Sequence, residues 1–207
     1  MKYSSKLIAE SVAEFQKLPG IGEKTALRLV LHLLKQDKLK VTHFSDAISR
    51  MRSDIKFCIN CNNISDHETC DICSNPMRDH SLVCIVESIR EVIAIENTNI
   101  YRGTYHVLGG VISPIDGVGP DQLNISLLID RVQNGGIKEA IMALSPTIEG
   151  DTTIFYLSKK LKEFNIQITS IARGVSFGGE LEYTDELTLG RSIATRLPYE
   201  NVLVKTN

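Results

Sequence analysis

"KEAIMALSPTIEGDTTIFYLSKKLKEFNIQITSIA", residues 138–172, holds an apolar run, an acidic break, a helical run and a second apolar run. "KEAIMALS" reads as a short strand, "EGDTTIFYLSKKLKEF" as a helix and "IQITSIA" as a strand. Strand, helix, strand in this length is a parallel crossover unit. The text upstream repeats the pattern. "SLVCIVE" is a buried-strand run, "SIREVIAIENT" is helical, "TYHVLGGVI" is strand-like and "DQLNISLLIDRVQNGG" is a helix closed by glycines. A parallel α/β sheet is therefore expected over residues 81–174.

In such sheets, sites form at the carboxyl ends of the strands. Glu87 ends "LVCIVE", and Glu149 and Asp151 follow "AIMAL". If those two strands are neighbours, three carboxylates gather at one edge, a set able to hold Mg²⁺ for phosphodiester chemistry. The competing reading is an ordinary helix start. It has Ser145 as N-cap, Pro146 at the first helical position and Glu149 in the first turn, where the helix dipole favours an acid.

Residues 7–34 read as two helices broken by "LPGIG", and residues 42–56 as a third. In "LPGIGEKTALRL", Gly20 and Gly22 permit a tight turn, and a helix starts at once. Its free N–H groups and positive end make an anion site, and on DNA the anion is a backbone phosphate. Lys24 and Arg28 are four apart and share a face beside it; Thr25 adds a hydroxyl. A plain αα-hairpin uses the same turn. The length of the pattern favours DNA: it resembles the helix-hairpin-helix module of DNA-repair proteins.

"CINCNNISDHETCDIC" places Cys58, Cys61, Cys70 and Cys73 as two CxxC pairs joined by a short loop. Four thiolates can converge on one tetrahedral ion, and zinc is the natural choice. Disulfides would need an oxidising compartment, of which nothing in the sequence speaks. An iron–sulfur cluster is the other metal group that takes four thiolates. Closed four-cysteine sites support structure, not catalysis. Cys84, in an apolar strand run, is expected in the core.

The chain has 207 residues, 43% hydrophobic and 23% charged, and a net charge of −2. Residues 1–56 carry 11 Lys and Arg against 6 Asp and Glu, and the remainder 12 against 19. A basic head on an acidic body suggests two surfaces with different partners. No run has the length of a membrane span, and "MKYSSKLIAESVAEF" is not a signal peptide, so a cytoplasmic protein is expected.

The strand-end acids resemble the Toprim fold of topoisomerases and DnaG-type primases. Glu87 matches its strand-end glutamate, and "SPTIEGD" its later acidic stretch, with Glu149 and Gly150 matching and Asp151 a conservative replacement. Ser145 and Thr147 stand where the metal-binding family has aspartates. Two lost carboxylates imply weak or no Mg²⁺ binding and no strand cleavage.

The combination of hairpin, four-cysteine knuckle and degenerate Toprim resembles the bacterial recombination mediator family RecR over nearly the whole chain. "YRGTYHVLGGVISP", "GVGPDQL", "PTIEGD" and "IARGVSFGGELEYTDELTLGR" look like its segments too. The resemblance implies an α/β multi-module chain. Its parts are a helix-hairpin-helix DNA-binding region at 1–56, a four-cysteine zinc finger at 57–80, a Toprim domain at 81–174 and a C-terminal helical extension for oligomer contacts at 175–207. It implies a non-enzymatic mediator of recombinational repair. Such a protein acts with RecO and RecF to help RecA load on SSB-coated single-stranded DNA, as a ring, typically a tetramer, able to encircle DNA. Gly20, Gly22, Lys24, Thr25 and Arg28 would contact DNA, single- or double-stranded. Cys58, Cys61, Cys70 and Cys73 would hold Zn²⁺, and Glu87, Glu149 and Asp151 would face RecO. The alternative is a metal-dependent Toprim-type phosphodiester enzyme, a nuclease or a primase-like protein.

Overall fold

The computed structural model describes residues 3–196 and 198. The end of the expected C-terminal extension, residue 197 and residues 199–207, lies outside the described residues. The chain divides into two compact units, Met1–Ile55 and Lys56–Asn207.

The first unit is helical, with α1 (Lys6–Gln16), α2 (Glu23–Leu34) and α3 (Lys38–Asp54). Ile8, Val12 and Phe15 recur at helical spacing on α1 and pack on Ala26, Leu27 and Val30 of α2. Ile21, in the intervening turn, closes this small core. The third helix begins before residue 42, where the sequence placed its start. Asp37 caps it, its carboxylate accepting the Leu39 N–H at 2.8 Å.

The second unit opens with a knuckle made of β1 (Lys56–Phe57), β2 (Ile64–Ser65) and the single turn α4 (Asp71–Ser74). The α/β body follows: β3 (Asp79–Val86), α5 (Ile89–Glu96), β4 (Gly103–Val107), α6 (Ile125–Gln133), β5 (Glu139–Met142), α7 (Ile148–Leu161), β6 (Gln167–Ser170) and α8 (Glu186–Ala194). The strands of the body form one sheet in the order β4-β3-β5-β6, with every pair parallel.

Alternation along β3 builds both faces of that sheet. Val83 and Ile85 join Leu108, Leu128, Met142, Leu157 and Leu161 in one core. Cys84 and Val86 join Val92, Tyr105 and Val107 in the other. Full burial of a leucine such as Leu157 contributes about 1.5–3 kcal/mol. A capping box starts α5: Ser88 accepts the Arg90 N–H at 3.2 Å, and Glu91 accepts the Ser88 N–H at 2.7 Å.

Two further sequence expectations change. The strand read through "TYHVLGGVI" ends at Val107, because Gly109 and Gly110 turn the chain with φ of 89° and 158°. Ser145 does not cap α7. Thr147 does, its hydroxyl accepting the Gly150 N–H at 3.0 Å. Pro146 holds Ser145 away from helical backbone, and the Ser145 N–H goes to Glu87 Oε1 at 2.6 Å. Gly150 packs on the same turn: a Cβ there would lie 2.0 Å from the Ser145 carbonyl oxygen. This helix start requires a glycine.

Candidate zinc centre, nucleic-acid interface and carboxyl edge

The core of the knuckle is its cysteines with Ile72 against them. Cys58, Cys61 and Cys70 are buried and Cys73 partly so, and their sulfurs all lie within 4.8 Å of one another. The Sγ atoms of Cys61 and Cys70 are 3.6 Å apart. A disulfide would put them at about 2.05 Å. Thiolates bonded at about 2.3 Å to a tetrahedral ion would be about 3.8 Å apart. All four are free cysteines, so the donor set and its spacing fit Zn²⁺. The contact with Cys70, then that with Cys73 and burial, push the Cys61 thiol far up, whereas the same contact pulls the Cys70 thiol down. Four sulfurs this close can all ionise only around a cation. With all four positions filled by sulfur, the zinc supplies folding energy and no open coordination site.

Backbone geometry aims the sulfurs. Asn62, with φ of 58°, turns the chain after the first pair, and its N–H returns to the Cys58 carbonyl at 2.8 Å. The Cys70 N–H donates to Cys58 Sγ at 3.3 Å. The knuckle is also stapled to the sheet. The Val107 N–H donates to the Cys61 carbonyl at 2.8 Å, and Asn62 Nδ2 donates to the Val107 carbonyl at 3.1 Å. These bonds cover part of β4, an edge strand whose polar groups would otherwise lie open. Cys84 stands apart from the ligand group, in the core, with burial pushing its thiol up to about 12.

In the helical unit, Gly20 takes φ of 77°, the left-handed region that favours glycine. Gly22 is the N-cap of α2 and offers no side chain to its first amides. A helix start without a side-chain cap is a general setting for anion contact. Lys24 and Arg28 are exposed one helical turn apart, and Thr25 is half-buried between them. The hairpin thus brings all five expected residues to one turn and the start of one helix.

The carboxyl edge differs from a metal site. β3 and β5 are neighbours, so Glu87 does approach the 145–151 stretch. Its Oε1, however, accepts the Ser145 N–H. Asp151 Oδ1 lies 2.6 Å from Arg173 Nη2, and Oδ2 lies 3.9 Å from Arg191 Nη2. Arg173, with a smaller contribution from Arg191, holds the Asp151 carboxyl below its ordinary range. Glu149 is half-buried in the first turn of α7. Among the described residues, the four cysteines are the one group of three or more such side chains close enough to hold a metal. Neither arginine carries a site signal in the sequence. They lie 22 and 40 residues beyond Asp151, inside "IARGVSFGG" and "LGRS", and no local signal links them to it.

Comparison with known proteins matches every segment. Family models match at residues 8–52 (RecR, helix-hairpin-helix), 55–75 (the RecR zinc finger domain of four cysteines), 81–172 (Toprim domain) and 174–196 (RecR, C-terminal). The Recombination protein RecR of Flavobacterium johnsoniae is 60% identical over 200 residues, 97% of each chain. The chain belongs to the RecR family. The Recombination protein RecR of Cytophaga hutchinsonii is 59% identical over 201 residues, covering 97% of this chain and 98% of that protein. That of Bacteroides thetaiotaomicron is 59% identical over 195 residues, covering 94% and 95%. The four-cysteine group falls inside the matched RecR zinc finger, and Zn²⁺ is its cofactor. No helix among the described residues is long and apolar enough to cross a membrane.

Proposed function

We propose that this RecR-family chain is a non-enzymatic DNA-binding mediator of recombinational repair. It works as a ring of four copies with RecO and RecF to help RecA load on single-stranded DNA coated by SSB. The observation that carries the reading is the hairpin: a helix start without a side-chain cap beside exposed Lys24 and Arg28, in a chain matched over 97% of its length by a RecR protein. Phosphate is the ligand such a site takes, and it takes it without reading sequence. One hairpin offers few contacts and binds weakly; several facing one lumen raise the effective concentration of each. The carboxyl edge supports the non-enzymatic reading, because Glu87 and Asp151 are committed to a backbone amide and to arginines. Glu149, at the start of α7, is the acid we assign first to RecO, and the RecO face is completed by Glu87 and Asp151.

The test is DNA binding by a Lys24→Ala/Arg28→Ala variant across a salt series. Loss of two phosphate contacts should make the slope of log affinity against log salt shallower by about 1.4 per engaged chain on single strands, and about 1.8 on duplex. An unchanged affinity and slope would remove the hairpin from DNA contact. Metal-dependent cleavage of labelled DNA, lost in Glu87→Ala, would replace the mediator with a phosphodiester enzyme.

A further inference from the structure

The C-terminal helix α8 is weakly seated by apolar contact. None of its residues is buried, and Leu187 and Ile193 are 67% and 60% exposed. The hydrogen bonds of its side chains, and of the capping Asp185, stay within residues 185–196 among the described residues. Among those residues one ion pair leaves the helix: Arg191 to Asp151. Arg173, just past the end of β6, meets the other oxygen of the same carboxylate. Between α8 and the body lies a cavity of about 290 Å³, walled by Leu144, Pro146, Ile171 and Leu187, with both arginines at its lining. Apolar packing there is incomplete, so charge must do part of the seating.

We infer that Asp151, Arg173 and Arg191 form an ion-pair latch that positions the C-terminal segment on the carboxyl edge of the sheet. Both carboxylate oxygens of Asp151 face guanidinium groups, Oδ1 that of Arg173 and Oδ2 that of Arg191. Arg173 fixes where the chain leaves β6, and Arg191 fixes where α8 returns. Neither arginine is needed for DNA contact at the hairpin, so the latch stands whether or not the proposed DNA and ring reading holds.

Amide hydrogen exchange of the full chain, read over residues 186–194, tests it. Asp151→Asn and Arg191→Ala should each speed exchange there by about two- to five-fold, the range of a partly exposed ion pair. The double variant should be no faster than Asp151→Asn alone, since Asp151→Asn already removes the pair with Arg191. Asp151→Glu should retain most of the protection. In 1 M salt the gap between wild type and variants should narrow, because exposed charges are screened. Unchanged exchange in both single variants, or effects that add, would overturn the latch. Arg191 is half-exposed, so its variant keeps the test valid if Asp151→Asn unfolds the body. Solution mass measured on the same samples separates loosening of α8 from any change of assembly.

Discussion

Removal of zinc should loosen the knuckle and, through it, the edge of the sheet. The knuckle's buried group is three cysteines with Ile72 and Cys73 against it, too little apolar surface to hold its fold alone. Structural zinc in such modules supplies about 10–16 kcal/mol of apparent binding energy. Without the ion, residues 58–74 should lose their fixed turns. Two bonds to β4 then go with them: the Val107 N–H to the Cys61 carbonyl and Asn62 Nδ2 to the Val107 carbonyl. At about 0.5–1.5 kcal/mol each, they contribute about 1–3 kcal/mol to the α/β body. In a unit of this size that corresponds to a Tm lower by roughly 2–12 °C. The assay is chelation of protein shown by metal analysis to hold one zinc per chain, followed by thermal melting and amide exchange. Exchange should rise at Ile59, Asn62 and Cys70 and also at Val107, and Cys61→Ala should reproduce the pattern. Zinc-free protein with unchanged Tm and a protected Val107 amide would refute the coupling of knuckle to sheet.

Other consequences are equally specific. Gly150→Ala forces a methyl group against the Ser145 carbonyl oxygen and should cost about 1–3 kcal/mol in denaturant melts; a neutral effect would mean that this turn yields freely. His106 is fully buried on β4, and its Nε2–H donates to the Asn124 carbonyl at 2.8 Å. Burial depresses its pKa to about 4, below the unfolded value of about 6.5. The unfolded chain therefore takes up the proton first. The stability from neutral His106 is complete above about pH 6.5 and is lost as pH falls toward 4, by up to about 3 kcal/mol. His106→Gln, which keeps a donor for Asn124, should flatten that part of the pH–stability profile, and an identical profile in both proteins would contradict the assignment.

Much of the molecule is legible in the linear text because its signals are local. The alternation of short apolar runs with helical runs gives the parallel sheet, and the two CxxC pairs give the zinc group. Helix α3 shows the limit of local reading at its start, where Asp37 rather than the apolar pattern sets the boundary. What the sequence hides is set by partners distant along the chain. Ser145 looks like a cap next to a proline, but Glu87, 58 residues earlier, takes its amide and leaves capping to Thr147. Asp151 reads as one of three acids at a strand edge until β6 and α8 bring arginines to it. Asn62 carries no signal in its own stretch, yet the sheet offers its side chain the Val107 carbonyl. Such pairings depend on topology, and neither periodicity nor spacing encodes them.

The proposed mediator depends above all on several hairpins acting together on one DNA. Solution mass by light scattering, with and without a single-stranded oligonucleotide, addresses this directly. The expected result is a species of four 23.0 kDa chains that holds DNA. A strict monomer in both conditions would contradict it.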